Sequence, residues 1–486
     1  MIPLLGFSPD LERTTPGVIT DCTNFVPYRN GMQAGPSNST PADVPALAAE
    51  CIGTSIVTIR SGSRRVFAGT TTKLYELSSG SWADVTRASG GNYTGGSDTR
   101  WAFTQFGNAT IAVNKTDAMQ RSSTSGAFAD VSGAPKAEIV FSVGAFVMAL
   151  NTNDGTDKPD GWHNCATFDE TSWTPSVTTQ AASGQLVDTS GIITAGARLG
   201  DYAIAYKLKS IYLGQYIGGT TVWDWRLVPG GEAGCVGKEA ICDIGGVHFF
   251  VGDDNIWMFD GSRPIPAADD TVRQWFFDNV NASFKSKIKC VFDRQNNRVW
   301  IFYPSSSSTT CNSALVYHVV TKQWGKADRS IEAAVQYVSS GATYDTWSSF
   351  GASYDALPDI SYDSQYWLSG GSALSVFNTS HQLQLLTGAA GASSFTTGDA
   401  GDDDGRSLLT QLRLRFPETF SPTTASATFY HKDSSGDSPS TGETVFIADN
   451  KFDTMQEAYW HSVSINFTGN VKVTHIRPII KPAGER

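Results

Sequence analysis

The sequence predicts an all-β chain: a β-propeller with a C-terminal antiparallel β-sandwich and an extended N-terminal arm. Three observations predict it. First, a phrase returns, Trp82-Ala83-Asp84-Val85-Thr86 and then Phe128-Ala129-Asp130-Val131-Ser132, its aromatic residues 46 positions apart (128 − 82). Trp173 follows after 45 (173 − 128), Trp223 after 50 (223 − 173) and Trp324 after 101 (324 − 223), close to two strides. A period of about 40–50 residues holding some four strands is the signature of a propeller blade. Second, 47 Gly and a charged fraction of only 17% favour short strands and turns over long helices. Third, short β-branched and aromatic runs are cut repeatedly by Gly, Ser, Asn and Asp, the residues of tight turns.

The blades are assigned within 50–388. Blade one takes Ser55–Arg60, Arg65–Gly69, Lys73–Leu77 and Trp82–Thr86; blade two takes Trp101–Phe106, Thr110–Asn114, Ala118–Ser122 and Phe128–Ser132. Their apolar residues are partly continuous, as in sheets covered on both faces. Blade three begins with Glu138–Val143 and Phe146–Leu150, then meets a polar loop, Asn151–Gly161. Blade four holds Tyr202–Ile217 and Trp223-Asp224-Trp225, and blade five spans Gly237–Phe259. Thr271–Val280 places Val272, Trp275, Phe276 and Val280 on one helical face. Blade six takes Ile288–Phe292, Arg298–Tyr303, Ala314–Val320 and Gln323–Lys326. Ala333–Tyr337, Leu374–Phe377 and His381–Leu386 read as strands around a Tyr/Ser/Asp-rich insertion, so six blades are favoured and seven is the alternative.

Residues 1–49 form the arm. Pro3, Pro9, Pro16, Pro27, Pro36, Pro41 and Pro45 enforce extended backbone. Phe7, Pro9, Pro16, Phe25 and Pro27 are its candidate contacts with a partner chain. Residues 389–486 form the sandwich. In its first strand, Leu408–Phe416, Leu412, Leu414 and Phe416 share one face and Gln411, Arg413 and Arg415 the other.

Composition limits the function classes. A net charge of −11 opposes tight wrapping of nucleic acid but suits a surface past which DNA must slide. The 7 Cys are widely spaced without Cys-x-x-Cys and read as buried free thiols. Met1–Gly6 lacks the basic start and apolar run of a signal peptide, and no stretch approaches the roughly 20 apolar residues of a membrane span.

Motifs for catalysis fail on chemistry. Gly237-Lys238-Glu239 resembles the end of a P-loop, but Glu232 stands where the first glycine belongs and Glu239 where a magnesium-binding hydroxyl belongs. No Gly-x-Ser-x-Gly elbow occurs. His163 and Cys165 could face one metal, yet no further ligand spacing accompanies them. Asp399, Asp402, Asp403 and Asp404 do not fit an EF-hand, since Ala400 would be its first ligand and Gln411 its last. Asp154, Asp157 and Asp160, in the blade-three loop, are the candidate lumen or gate residues. The Trp turns, such as Gly80-Ser81-Trp82, lack the Asp and Gly of sialidase-like propellers.

The arm carries a resemblance. Gly6-Phe7-Ser8-Pro9-Asp10-Leu11, Thr15–Cys22, Asn24-Phe25-Val26-Pro27 and Gly31 resemble the start of virion structural proteins of tailed phages, and are similar in particular to the tail nozzle (tail tubular) proteins of short-tailed bacteriophages. Phe249–Asp254 leading to Asp260-Gly261, Leu374–Gly388 and Val471–Lys481 extend the likeness in order along the chain. The resemblance implies a non-enzymatic protein without cofactors, a homohexameric ring below the head-to-tail adaptor or portal assembly, with tail fibre, spike or needle as neighbours. Its lumen would be the exit channel for viral DNA, which passes without sequence-specific binding. The location implied is the virion tail, assembled in the bacterial host cytoplasm. Loops such as Asn151–Gly161 or Gly341–Ser361 would project as a gate. The alternative functions are a propeller lectin or adhesin that binds host surface glycans through exposed Trp residues, and a propeller glycosidase with facing carboxylates.

Overall fold

The computed structural model describes residues 1–39, 44–96, 98–230, 232–338, 372–417 and 421–483. Seven four-stranded antiparallel units form the propeller, and the first five are contiguous sheets of their own: 53–84, 102–130, 136–185, 193–227 and 241–266. Blade six spans 289–327. Blade seven combines Ala333–Val338, Ser372–Phe377 and Leu383–Gly388 with a fourth strand, Ser37–Ser39, taken from the arm. The innermost strand of blade seven packs on that of blade one, Gly53–Thr58, and closes the ring. The favoured count of six is therefore corrected to seven. The last blade escapes a local reading because its outer strand lies some three hundred residues upstream, in the polar triplet Ser-Asn-Ser.

The blades form where the sequence keeps both faces apolar. Ala109–Val113 and Arg298–Tyr303 are buried at every position, which suits a strand between two neighbouring blades. The recurring aromatics accompany the outer, fourth strands: Trp82 and Trp223 lie within them, Trp324 opens one, Phe128 lies just before its strand, and Trp173 lies in the segment leading to Ala182–Gln185. Blade five ends instead in Pro264-Ile265-Pro266, which is why the stride doubles between Trp223 and Trp324. At the junction of blades one and two, Trp101 lies flat on Gly69, where an added Cβ would sit 2.3 Å from the indole Cδ1. The predicted helix is present as Arg273–Asn279, with Phe276 buried.

The arm is woven into the rest. Ile2–Pro3 pairs with His475–Pro482, and Val18–Thr23 with Ser393–Thr397. Phe25–Tyr28 continues blade six outward, and Gly31–Ala34 joins it to Lys472–Val473 of the sandwich. The sandwich itself stacks a sheet containing Ile2–Pro3, His475–Pro482, Ser407–Arg415 and Lys451–Ala458 on a second sheet centred on Trp460–Thr468. One apolar cluster runs from Phe249, Phe276 and Ile301 through Phe7 and Phe25 to Phe395, Phe429, Ile465 and Phe467. Propeller, arm and sandwich thus share a core.

Two expectations are corrected here. Phe7, Phe25 and Pro27 do not face a partner chain. Phe7 meets Trp275 edge-on at 4.7 Å, Phe25 stacks on Phe395 at 5.1 Å, and Pro27 is buried in the extended blade six. Burying these side chains inside their own chain is what fixes the arm. Pro9 is half-buried, and Pro16 remains exposed. The polar stretch Asn151–Gly161 is not a loop but a hairpin, with strands Phe146–Asn153 and Asp157–Asn164. Polar side chains mask the β-pattern there because one face of the hairpin tip meets solvent. Gly341–Ser361 lies outside the described residues.

Candidate functional site: the propeller axis

The innermost strands of the blades bring charged residues together around the axis. Lys238, in the lead-in to blade five, reaches past blade four. Its Nζ lies 2.7 Å from Glu138 Oε1, on the innermost strand of blade three. It also donates to the carbonyl of Arg100, just before blade two, at 2.6 Å. Glu239 pairs with Lys289 on the innermost strand of blade six. Lys287 lies 3.5 Å from Asp98 at the rim. Asp98, Arg100, Glu138, Lys238, Glu239 and Lys287 border a cavity of about 240 Å³, with Asn151 and Thr194 on its wall.

The electrostatics of the cluster are self-contained. Burial lowers the Lys238 ammonium below its ordinary pKa, and Glu138 partly restores it. At the junction of blades seven and one, Glu332 accepts from the Cys51 amide at 3.0 Å and meets His381 Nδ1 at 2.6 Å; burial raises its carboxyl. Lys238, Glu239 and Lys287 are met by partners from other blades, and Glu332 by the Cys51 amide as well as by His381 of its own blade, so the cluster ties blades together. Through Lys238 it also links the segments leading into blades two and five to the innermost strand of blade three.

The other candidates resolve into structural contacts. Asp154 pairs with Lys158 at 2.7 Å, Asp157 with Lys115 at 2.7 Å, and Asp160 accepts from Gln185 at 2.9 Å. Their hairpin adjoins the axial cavity through Asn151, to whose carbonyl Lys115 donates at 3.2 Å. His163 is bonded to the Trp173 carbonyl at 2.7 Å, and Cys165 Sγ accepts from the Val147 amide at 3.1 Å. Burial lowers the histidine pKa and pushes the thiol up to about 12. Asp399 holds Lys432 and Arg13, and Asp403 accepts from the Trp460 indole at 2.6 Å. Among the described residues no group of three or more His, Cys, Asp or Glu is placed to hold a metal ion. Sequence reasoning passed over Glu138 and Arg100 and discarded Lys238 with the P-loop. The available signal was a charge on an innermost strand, where apolar residues dominate.

No family model and no curated protein matches this chain. Solved structures similar to it include YCF48 bound to a D1 peptide, at 12% identity over 62% of this chain and 90% of that one, with a TM-score of 0.37. The computationally designed Ika8 protein is similar at 10% identity over 79% of this chain and 99% of that one, also with a TM-score of 0.37. Superpositions this loose carry no argument about function. The propeller rests on the sheet order itself.

Proposed function

We propose that this chain is a virion structural protein, a tail nozzle whose copies form a ring around a DNA exit channel below the head-to-tail adaptor. The observation that carries the reading is the course of the arm. The segments that bear the resemblance, Gly6–Leu11, Thr15–Cys22 and Asn24–Pro27, are the ones that join sandwich to propeller, and the strands of the first 39 residues enter four different sheets. A body cross-linked in this way moves as one unit under load, as a channel wall must. Ion pairs that tie neighbouring blades together at the inner strands support a channel between copies rather than through one propeller, and the negative charge of −11 supports passage of DNA without adhesion. Retention and release of the genome would then fall to segments that project between copies.

Electron microscopy of the purified chain mixed with its adaptor tests this. A closed ring of six copies around an open channel is expected. A monomer that ignores the adaptor, or a ring whose lumen is sealed by folded propellers, would overturn it.

A further inference from the structure

Three depressions with shared walls run along blades one to five. The first, about 450 Å³, is lined by Arg60, Arg121 and Arg198. The second, about 370 Å³, is walled by Phe146, Tyr202, Tyr216 and Trp223, with Asp201 and Gln215 among them. The third, about 460 Å³, is lined by Arg226, Asp260 and Ser262, with the Asp260 carboxylate accepting from the Ser262 hydroxyl. Gly144 belongs to the walls of the first and second, and Tyr202 to those of the second and third, so the three form one groove.

The middle of this groove is a braced aromatic platform. Tyr216 is 43% exposed and Tyr202 38%. Behind Tyr216 stand Phe146 at 4.9 Å and Trp223 at 5.8 Å, and its hydroxyl donates to Gln180 Oε1 at 3.2 Å. The ring is therefore held on one side and open on the other. Nothing in the blade core requires such exposure, and large exposed aromatics in a concave site mark binding.

The polar groups around it point to the ligand. The guanidinium groups of Arg60 and Arg198 form no ion pair among the described residues, while Arg121 pairs with Glu170 at 2.8 Å. Arg226 donates to Gln215 at 2.7 Å and pairs with Asp224 at 3.3 Å. Arg60 and Arg198, without an acidic partner in a chain of net charge −11, mark a site for carboxylates. The Asp201 carboxylate, in the middle, makes no hydrogen bond or ion pair among the described residues. It would repel a phosphate run but accepts hydroxyl groups readily. Flat apolar ring faces, hydroxyls and spaced carboxylates occur together in one class of molecule.

We propose that this groove binds an acidic oligosaccharide, its sugar faces on Tyr202 and Tyr216, its hydroxyls on Asp201 and its carboxylates on the flanking arginines. A single-stranded nucleic acid also stacks on aromatics beside arginines, but needs a continuous positive track that Asp201 interrupts. The proposal stands apart from the nozzle reading, since ring formation and sugar binding are read by different measurements.

Calorimetric titration of the full chain with hexasaccharides of galacturonate, mannuronate, glucuronate and sialic acid tests it, with cellohexaose and a twelve-residue oligo-dT as comparisons. At least one acidic hexasaccharide should bind about tenfold or more tighter than either comparison. Tyr216→Ala should weaken it about tenfold, Tyr216→Phe should leave it unchanged, and Arg198→Ala should narrow the preference for acidic over neutral sugar. Binding of no acidic hexasaccharide overturns the proposal. So does equal binding of oligo-dT, or a Tyr216→Ala variant with a native circular dichroism spectrum and undiminished binding. An altered oligomeric state with undiminished binding would also overturn it and mark the platform as a contact between copies.

Discussion

Blades one to five and the last two blades follow one four-stranded plan but draw on the chain over different distances. Each of the first five closes within its own segment, as in 53–84 or 102–130. Blade six is extended by Phe25–Tyr28 and Gly31–Ala34, and blade seven is completed by Ser37–Ser39. The sandwich likewise needs Ile2–Pro3 and Val18–Thr23. Local closure costs little chain entropy, whereas joining the two ends of the chain must be repaid by a large shared core. The first five blades are thus expected to be repeat-like in their energetics, and the ends of the chain to be all-or-none.

The sharpest way to break that contrast is to cut matching aromatics in the two regions. Phe25 touches Phe395 and Phe467 of the sandwich while sitting on the strand that extends blade six. Phe25→Ala should cost about 3–5 kcal/mol and lower the unfolding midpoints of sandwich and propeller together. Phe128, packed edge-on against Phe67 at 5.3 Å, belongs to the local region. Phe128→Ala should leave the sandwich transition in place. Denaturant unfolding followed by separate tryptophan and far-UV signals reads both. Coincident losses in both variants would mean that the contrast does not exist.

The second test uses charge. Asp399 and Lys432 form a pair at 2.7 Å with side chains 5% and 6% exposed, and Arg13 of the arm joins them at 3.1 Å. Removing Asp399 strands a buried ammonium, so Asp399→Ala should cost about 3 kcal/mol, mostly from Lys432 because Arg13 is half in solvent. The pH dependence has a definite sign. Burial alone would raise the Asp399 carboxyl, but hydrogen bonds from Arg13 and Lys432 outweigh it and hold the group below its ordinary 3.8. A depressed carboxylate adds stability above its unfolded pKa and loses it as pH falls through the folded value. Below about pH 4, the native chain should lose stability more steeply than Asp399→Ala. Parallel acid-unfolding curves would remove this pair from the arm's anchorage.

A smaller effect is expected at the axis. Lys238 joins blades two, three and five, but Glu138 is 29% exposed and can turn to water when its partner goes. Lys238→Met should cost about 1–3 kcal/mol without touching the sandwich. Hydrogen exchange should show faster opening of 136–143 and 102–106 alone. Protection lost in Trp460–Thr468 would make the axis part of the shared core.

The same contrast decides what could be read from sequence. Trp82, Phe128, Trp173 and Trp223 announce blades because each blade repeats the packing of its neighbour. Strands such as Thr110–Asn114 and Arg298–Tyr303 were legible because their apolar runs are unbroken. Ser37–Ser39 has no β-signal of its own and forms a strand only because Leu383–Gly388 offers it an edge. Lys451–Ala458 reads Lys-Phe-Asp-Thr-Met-Gln-Glu-Ala, an alternation too diluted by exposed Met455 to stand out. Lys238 reads in sequence only as the end of a failed phosphate loop, with Glu232 and Glu239 at the wrong places. Its actual partners, Glu138 and Arg100, lie about a hundred positions away and carry no motif. Likewise Phe7 and Phe25 were legible as anchors, but whether they anchor to another chain or to this one is decided by the far end of the sequence.

The smallest signal comes from the thiols, and it reports on the arm directly. All seven cysteines are free, and burial pushes Cys22, Cys51, Cys165 and Cys235 up to about 12 and Cys311 to about 11. At pH 8 almost none of these is thiolate, so an aromatic disulfide reagent should label less than about one thiol per native chain in minutes and all seven after denaturation. Labelling of the native chain then proceeds through local opening. Cys22 Sγ lies 3.8 Å from the Phe25 carbonyl, on the arm strand that pairs with the sandwich, whereas Cys165 is enclosed within blade three. In Phe25→Ala the arm should open more often, and Cys22 should label faster by the same factor that the opening equilibrium gains, while Cys165 keeps its native rate. Mass spectrometry of the labelled peptides separates the two. If Cys165 accelerates in step with Cys22, blade three opens with the arm, and the first five blades are not locally closed after all.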